Sequence, residues 1–331
     1  MADVKWIGRR QSIGIGRETT RGTKATTAFW LNVLSFSFSD IPERALSEAS
    51  FGNIYGGDQA PLTTIHGEGE MEVELGADSF GLILYALLGQ APSTTGPADT
   101  VAYTHTYTVA DDSNQHTSLT LATTDPIGDL AYRLAMIDSL TLNIVPNAII
   151  SYTVNFMSQG SMDFDSAAAS YTSEGKFVGR NLDFKIASLT SGLGAASVTK
   201  LKSLSLTVSK NAEISATLST LHPEDVVNKK FEITGELSLD YENRTLFGYI
   251  TDGSYKAIRI DLTGSTILTG GATTYPQFTL DLSKVNFENF SPDFSNDEIV
   301  TQTLSFNALY DAGLQNNVID NCVLVNTTAS Y

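Results

Sequence analysis

The feature that most constrains this chain is the alternation of apolar and polar residues in many of its segments. Successive side chains of a β-strand point to opposite faces, so alternation places one face on a core and the other in water or against a partner. β-Branched and aromatic residues are frequent in these segments, which favours strands. The clearest cases are residues 34–39 (LSFSFS), 71–75 (MEVEL), 140–144 (LTLNI) and 204–208 (LSLTV). The sequence therefore predicts a mainly β fold.

Helical patterns are few. The best one follows Asp78, a candidate N-cap, and ends at Gly89, which suits the left-handed position after a helix. The residues between them are apolar around most of the helix, which predicts packing against a sheet. A second, shorter helix is predicted over residues 242–250, towards Gly253.

The composition excludes several classes of protein. The chain has 331 residues, 42% of them hydrophobic, and a formal net charge of −17, so it has enough apolar material for a core. A protein this acidic is not expected to bind duplex DNA by neutralising its phosphates. The single cysteine, Cys322, excludes an intramolecular disulfide framework. The longest apolar run, residues 80–88, is too short to cross a bilayer, and the polar residues 1–10 are unlike a secretory signal.

No catalytic or cofactor-binding pattern stands out. The four histidines are far apart and share no metal-ligand spacing, and no Ser/His/Asp or Cys/His arrangement is evident. Gly14 and Gly16 lack the third glycine and the strand–helix context of a dinucleotide site. We therefore expect no enzymatic activity, no cofactor and no metal site.

The two halves of the chain resemble each other. Residues 69–75 (GEMEVEL) match residues 235–241 (GELSLDY) at an offset of 166, and each is followed by a predicted helix. Residues 35–47 align without gaps with residues 203–215, an offset of 168, and the same thirteen-residue pattern recurs at 139–151. Each copy of that pattern predicts a β-hairpin. Chance similarity between alternating sequences is the alternative to duplication.

Duplication predicts two β domains of one kind. The first spans residues 1–165 and includes a basic N-terminal arm, residues 1–30. The second spans residues 166–331, and the Ser- and Ala-rich segment around 161–173 is the expected linker.

The N-terminal residues resemble a known family. Residues 13–24 (IGIGRETTRGTK) contain the pattern G-x-G-x-E-x-T-x-G-T, and an apolar strand begins with Phe29, Trp30 and Leu31. This order, followed by the strand at 69–75 and a helix that ends in Leu88-Gly89, resembles the tail tube proteins of long-tailed, siphovirus-like bacteriophages. The resemblance is clearest over the first ninety residues.

The resemblance implies a structural virion protein. Its fold would be two duplicated tail-tube-type β-sandwich domains, each with one short flanking α-helix. Such domains assemble in sixfold or pseudo-sixfold rings that stack into the phage tail, with assembly in the host cytoplasm. Double-stranded DNA would pass through the lumen without specific binding. The tape measure protein would occupy the tube during assembly, and tail terminator and distal tail proteins would contact its ends; no membrane is involved.

The number of chains per ring follows from the duplication. A chain with two tube domains closes a six-domain ring with three subunits, whereas six chains per ring would leave the second domain as outer decoration. A β-sandwich adhesin or surface binding module is the alternative function, although the absent export signal and cysteine pairs disfavour it.

An acidic stripe is predicted on one strand face. Alternation places Glu68, Glu70, Glu72 and Glu74 on the same face, and Glu236 and Asp240 repeat the pattern in the second half. Because adjacent like charges repel, this face needs water or cations. It would either line the tube lumen, where it would repel DNA, or form an ordinary solvated or inter-ring surface.

A basic cluster marks the N-terminal arm, and residues 41–66 form a predicted long loop. The arm would pair with acidic surface on a neighbouring subunit, contact nucleic acid, or remain a solvated terminus. The loop would reach the adjacent ring, as the resemblance implies, or stay on the surface without a partner. The basic residues are Lys5, Arg9, Arg10, Arg17, Arg21 and Lys24.

Overall fold

The computed structural model describes residues 5–164, 168–313 and 318–331, and it confirms a mainly β protein. The described residues form nineteen strands and two α-helices, together with three short 3-10 turns. The helices are α1 (Phe80–Leu88) and α2 (Thr245–Thr251). The strands are β1 (Ser12–Arg17), β2 (Phe29–Trp30), β3 (Val33–Arg44), β4 (Leu62–Glu74), β5 (Ser93–Ala98), β6 (Ala102–Tyr107), β7 (Leu119–Thr124), β8 (Asp129–Ile144), β9 (Ser151–Gln159), β10 (Met162–Asp163), β11 (Leu182–Ala187), β12 (Ser203–Ser209), β13 (Glu213–Ser215), β14 (Asp225–Val227), β15 (Glu232–Asp240), β16 (Lys256–Thr263), β17 (Gln277–Asp293), β18 (Thr301–Leu309) and β19 (Ile319–Asn326).

Eight strands form one continuous antiparallel array, which we call the eight-strand sheet. Its order is β3-β4-β9-β8-β12-β15-β18-β17. The first four strands come from the first half of the chain and the last four from the second half. The pairing of β8 with β12 joins the two halves.

A second group of strands is connected to this sheet through its two longest members. Residues 129–135 of β8 pair with β7, which continues to β1 and β2. Residues 277–282 of β17 lie between β16 and β19, and the pairing continues to β11 on one side and to β6 and β5 on the other. β8 and β17 therefore each pair with one set of strands along one part of their length and with another set along the rest.

The order of pairing in the first half is repeated in the second. In the first half the sequence of neighbours is β3-β4-β9-β8-β7-β1, and in the second it is β12-β15-β18-β17-β16-β11. The registers also agree, since Gly69 lies opposite Phe156 and Gly235 lies opposite Phe306. A Cβ on Gly235 would lie 2.3 Å from the Phe306 ring, so the ring needs a glycine across from it.

The two helices follow β4 and β15 but are buried to different degrees. All nine residues of α1 are buried, and the Phe80 ring lies 5.1 Å from Tyr152 and 5.4 Å from Phe278, centroid to centroid. In α2 only Leu246 is buried. α1 is thus part of the core, whereas α2 lies at its margin.

The predicted end of the first helix is confirmed, and its predicted N-cap is wrong. Gly89 has φ 84° and its N–H donates to the carbonyl of Tyr85. The Asp78 carboxylate accepts hydrogen bonds from the backbone N–H and the hydroxyl of Thr327, each at 2.9 Å. The carboxylate of Glu174 instead accepts from the N–H groups of Asp78 and Ser79 at the start of the helix. A residue distant in sequence supplies this cap, which no local pattern reveals.

The three predicted hairpins have different outcomes. Residues 139–151 form the β8–β9 hairpin as predicted. Residues 35–47 do not turn, because β3 remains paired with β4 as far as Arg44. In residues 203–215, β13 pairs with β14 instead of turning back on β12. Of the predicted linker, residues 162–163 form β10 against β8, and residues 165–167 lie outside the described residues.

Candidate functional site

One face of the eight-strand sheet is polar over almost its whole width. Its opposite face is apolar, as shown by Met71, Val73 and Val154, each with no solvent exposure. β4, β9, β12, β15 and β18 contain no lysine or arginine. The polar face includes Ser35, Ser37, Ser39, Glu68, Glu70, Glu72, Glu74, Ser151, Thr153, Asn155, Ser139, Thr141, Asn143, Ser205, Thr207, Ser209, Glu236, Ser238, Asp240, Thr301, Thr303 and Ser305.

The structure places the predicted acidic stripe on this polar face. The four glutamates of β4 alternate with buried or close-packed residues, and Glu236 and Asp240 lie on the same face of β15. Glu70 and Glu236 occupy equivalent positions in the two halves. Each directly follows the glycine, Gly69 or Gly235, that lies opposite a phenylalanine of the next strand. Glu74 and Asp240 match in the same way.

The acids at the strand ends are neutralised within the chain, and those nearer the centre are not. Glu74 forms an ion pair with Lys176, and Asp240 forms one with Lys202 at 2.7 Å. Glu70 and Glu236 are exposed and have no ion pair among the described residues. The polar face therefore exposes two carboxylates without a counter-charge in the described part of the chain, one within β4 and one within β15, and their negative charge repels phosphate.

Glu68 and Glu72 have polar neighbours of other kinds. The Glu68 carboxylate lies 3.7 Å from Nε2 of His66, and Glu72 accepts a hydrogen bond of 2.9 Å from the Ser151 hydroxyl.

The six basic residues of the predicted arm separate into two groups. Lys5, Arg9 and Arg10 are exposed, with the Arg10 guanidinium 4.6 Å from the centroid of the Trp6 ring. Residues 1–4 of the arm lie outside the described residues. The Lys24 ammonium lies 4.6 Å from the centroid of the Phe164 ring.

Arg17 and Arg21 are bound inside the chain. Arg17 donates to the carbonyl of Tyr331 at 2.9 Å, close to the C-terminus. Arg21 donates to the carboxylate of Asp225 at 2.6 Å and also to the carbonyl of Val226. These bonds hold segments of the second half against the N-terminal segment, a role that the sequence did not indicate.

The glycine-rich N-terminal motif has a structural role centred on Glu18. Its buried carboxylate accepts hydrogen bonds from the N–H of Gly22 at 2.7 Å and the N–H of Leu134 at 2.8 Å. The hydroxyls of Ser118 and Thr120 donate to the same carboxylate at 2.6 and 3.0 Å. Glu18 therefore ties the turn after β1 to β7 and β8.

The two glycines of the motif allow a close backbone approach. A Cβ on Gly16 would lie 2.0 Å from the carbonyl oxygen of Thr26, and one on Gly14 would lie 2.4 Å from the Thr27 methyl group. The returning segment after the turn can lie on β1 only because both positions lack a side chain.

Lys210 is fully buried beside the end of α1. Its ammonium donates to the carbonyl of Ala86 at 3.0 Å, and His116 lies 3.2 Å from the carbonyl of Leu87 through Nδ1. Burial, helped by the positive charge of Arg21 and opposed by the negative charge of Asp138, lowers the pKa of Lys210 to about 7. A cation at this position complements the carbonyl end of the helix.

The segment between β3 and β4 is a long exposed loop with apolar side chains. β3 and β4 extend into the predicted loop, so the loop itself covers residues 45–61. Ile54 and Tyr55 are 97% and 77% exposed. Exposed apolar groups of this size favour a protein contact.

The described residues contain no group of three or more His, Cys, Asp or Glu side chains that could hold a metal ion. Cys322 is buried, which raises the pKa of its thiol to about 12 and leaves it unreactive. No helix in the described residues is long and apolar enough to cross a membrane.

Comparison with known proteins identifies the family. A family model described as phage tail tube protein matches residues 8–308. The chain belongs to the phage tail tube protein family. The match covers both halves of the chain and nearly the whole eight-strand sheet, so it extends well beyond the N-terminal motif. A search of curated proteins finds no match. The protein is thus a structural, β-rich component of a bacteriophage virion, and the predicted resemblance is confirmed.

Proposed function

We propose that this protein is the repeating subunit of a tail tube, in which three copies close a pseudo-sixfold ring and the rings stack around a central channel. The observation that carries the proposal is the eight-strand sheet, which is continuous across both halves and polar on one face. In such a ring, each chain would supply one third of the wall.

The repeated order of pairing supports two domains of one kind, residues 1–165 and 166–331. Five pairings of the first half have counterparts in the second, with the helix after the second strand of the sheet in both. The counterpart strands contain the two sequence echoes at offsets 166 and 168. Each domain would contribute four strands to the wall of the channel.

Strand geometry favours three chains per ring. Three chains supply about 24 strands, and at about 4.8 Å per strand and a tilt near 40° the closed barrel has a backbone diameter of about 50 Å. That channel admits a DNA duplex. Six chains with all strands in one wall would give about twice this diameter, so a hexamer would have to exclude the second domain from the wall.

The polar face of the sheet is suited to line the channel. Its central acids, Glu70 and Glu236, are exposed and lack counter-charges among the described residues. Double-stranded DNA would therefore slide past without specific binding, because phosphates and carboxylates repel each other. During assembly the tape measure protein would occupy the same channel.

The exposed loop and the basic arm are suited to contacts along the tube. The loop at 45–61 carries Ile54 and Tyr55 outward, and contact with the next ring would bury them. Lys5, Arg9 and Arg10 would approach acidic surface on a neighbouring subunit. At the ends of the tube the same surfaces would meet tail terminator and distal tail proteins, with assembly in the host cytoplasm.

Electron microscopy and native mass spectrometry test the proposal. Purified, concentrated protein is expected to form annuli or hollow rods in negative stain. The ring mass is expected near three chains of 35.6 kDa, about 107 kDa. A ring of six chains would overturn the trimer, and a monodisperse monomer at high concentration would favour an adhesin-like binding module instead.

A further inference from the structure

Both edges of the eight-strand sheet are unpaired among the described residues. Among the described strands, β3 pairs with β4 alone. β17 pairs with β16 as far as Val285, and beyond that point β18 is its only partner in the part of the chain that the structure describes. Unpaired edges of this length are templates for another strand.

The strands that correspond to these two edges already pair with each other inside the chain. They are β12, which corresponds to β3, and β8, which corresponds to β17. β12 is the counterpart of β3, since Leu206 lies opposite Gly235 as Phe38 lies opposite Gly69. β8 is the counterpart of β17, since residues 141–143 lie opposite 151–153 as residues 291–293 lie opposite 301–303. Ala135 pairs with β7 where Val285 pairs with β16, so both long strands change partners at equivalent points.

We propose that β3 of one copy pairs antiparallel with the end of β17 of the next copy, in the register by which β12 pairs with β8. Within the chain, Thr207 lies opposite Thr141, Leu206 opposite Leu142 and Ser205 opposite Asn143. The equivalent contacts between copies are Ser39 with Ser291, Phe38 with Pro292 and Ser37 with Asp293. This inference rests on the proposed ring.

Apolar side chains at the free edges of β3 and β17 are more exposed than their counterparts inside the chain, which supports a second copy as the partner. At the internal junction the apolar side chains are covered, with Leu204 1%, Leu206 2% and Ile144 3% exposed. At the free edges Phe36 and Phe38 are only half-buried, and Phe294 is 63% exposed. Pairing of the two edges would bury these aromatic rings in the way that the leucines are buried within the chain.

The helix α2, which lies beside the free end of β17, is also only partly buried. Phe247 of α2 is 38% exposed, and its ring lies 5.1 Å from that of Phe290. The Phe294 ring lies 5.8 Å from Tyr241, so an aromatic cluster borders the end of β17. The counterpart helix α1 is fully buried within the chain. A neighbouring β3 would extend the cover over this cluster.

Two prolines interrupt the backbone donors of these edges. Pro42 in β3 and Pro292 in β17 each lack an N–H, so neither edge offers an uninterrupted ladder. In the proposed register Pro292 faces Phe38 and Pro42 falls outside the three central pairs. The prolines therefore shorten the hydrogen-bonded ladder that each edge offers to any strand, and the pair of Pro292 with Phe38 keeps only the hydrogen bond donated by Phe38.

Disulfide trapping tests the register. The variant S39C/S291C places one cysteine on each edge, and the eight strands separate the two by about 34 Å within one chain, so a disulfide can form only between copies. Cys322 is buried and does not compete. Oxidised rings are expected to yield covalent trimers on non-reducing gels, and reduction should return the monomer.

Two further variants serve as matched controls. T141C/T207C should form a disulfide within the chain, because these side chains already face each other. S35C/S291C shifts one cysteine by four residues along β3, about 13 Å, and should remain uncrosslinked. Rings or tubes without crosslinked S39C/S291C, or with equal crosslinking of S35C/S291C, would overturn the register and leave the proposed function intact. Failure of the unmodified protein to form rings would instead contradict the proposed function.

Discussion

The hydroxyl groups of Thr141 and Thr207 lie 2.9 Å apart across the pairing of β8 with β12. The first residue belongs to the first half of the chain and the second to the other, so this contact lies where the halves become one sheet. On the opposite face of the same pairing, Leu206 and Leu142 are each 2% exposed. The junction of β8 with β12 is therefore a hydrogen-bonded ladder with a buried apolar face, as in the interior of a single domain.

Truncation of Leu206 should destabilise the whole chain. The variant L206A leaves a cavity under the junction and is expected to lower the free energy of unfolding by about 2–5 kcal/mol. Chemical denaturation followed by circular dichroism measures the change. S37A, at an exposed position of the free edge, should have no comparable effect. An equally small change for both variants would show that the halves do not depend on this contact.

The sequence predicted the faces of the strands better than their partners. Alternation correctly assigned Met71 and Val73 to the core and the glutamates of β4 to the polar face, because side-chain direction in a strand is fixed locally. It failed at Asp40 and beyond, where an apparent turn of Asp, Pro and Glu continues as a strand. There the ladder to residues 62–66 overrides the local turn preference.

Contacts between distant residues could not be predicted from local patterns. Glu174 caps α1 from more than ninety residues away, and Arg21 binds Asp225 across the two halves. The sequence showed a basic cluster but not which of its members would be bound internally. The four donors to the Glu18 carboxylate come from three separate segments of the chain, which no local pattern identifies.

Reversal of the central acids should slow DNA passage without preventing assembly. In E70K/E236K both changed residues are exposed and unpaired within the described part of the chain, so the fold should tolerate the change. The lumen would then attract phosphate, and duplex DNA should cosediment with tubes at low salt and dissociate at high salt. Ejection from phage that carry the variant should be slower.

D111K/D112K is the matched control, because it changes the charge by the same amount at two exposed residues outside the eight-strand sheet. Ejection and DNA binding that are unchanged in E70K/E236K would place the polar face outside the channel.

The buried carboxylate of Glu18 should be needed for the N-terminal segment to dock. Each of its oxygens accepts one backbone N–H, from Gly22 and from Leu134. In E18Q the side-chain amide nitrogen must face one of these N–H donors, whichever way the amide is turned. We therefore expect the free energy of unfolding to fall by about 1.5–3 kcal/mol. Guanidinium denaturation measures it, with E48Q in the exposed loop as the control. Equal stability of E18Q and the unmodified protein would contradict this role.

Lys210 should make stability depend on pH in a predictable direction. Burial lowers its pKa in the folded protein to about 7, whereas the unfolded chain retains the ordinary lysine value near 10.5. Between these values the unfolded state binds more protons, so the contribution of Lys210 to stability rises as pH increases from 7 to 10. The stability of the unmodified protein relative to K210M should therefore increase over that range. A constant difference between the two proteins would show that Lys210 remains charged in the fold.

The exposed loop between β3 and β4 should control the length of the tube and not the closure of the ring. Ile54 is 97% exposed, and its burial against the next ring would contribute to stacking through the hydrophobic effect. The variant I54S should therefore keep its fold and ring mass but form shorter tubes in negative stain. Ile127 is 87% exposed in the turn between β7 and β8, so I127S removes the same side chain from another surface. Tubes of normal length with I54S, or equally short tubes with I127S, would show that this loop makes no specific contact between rings.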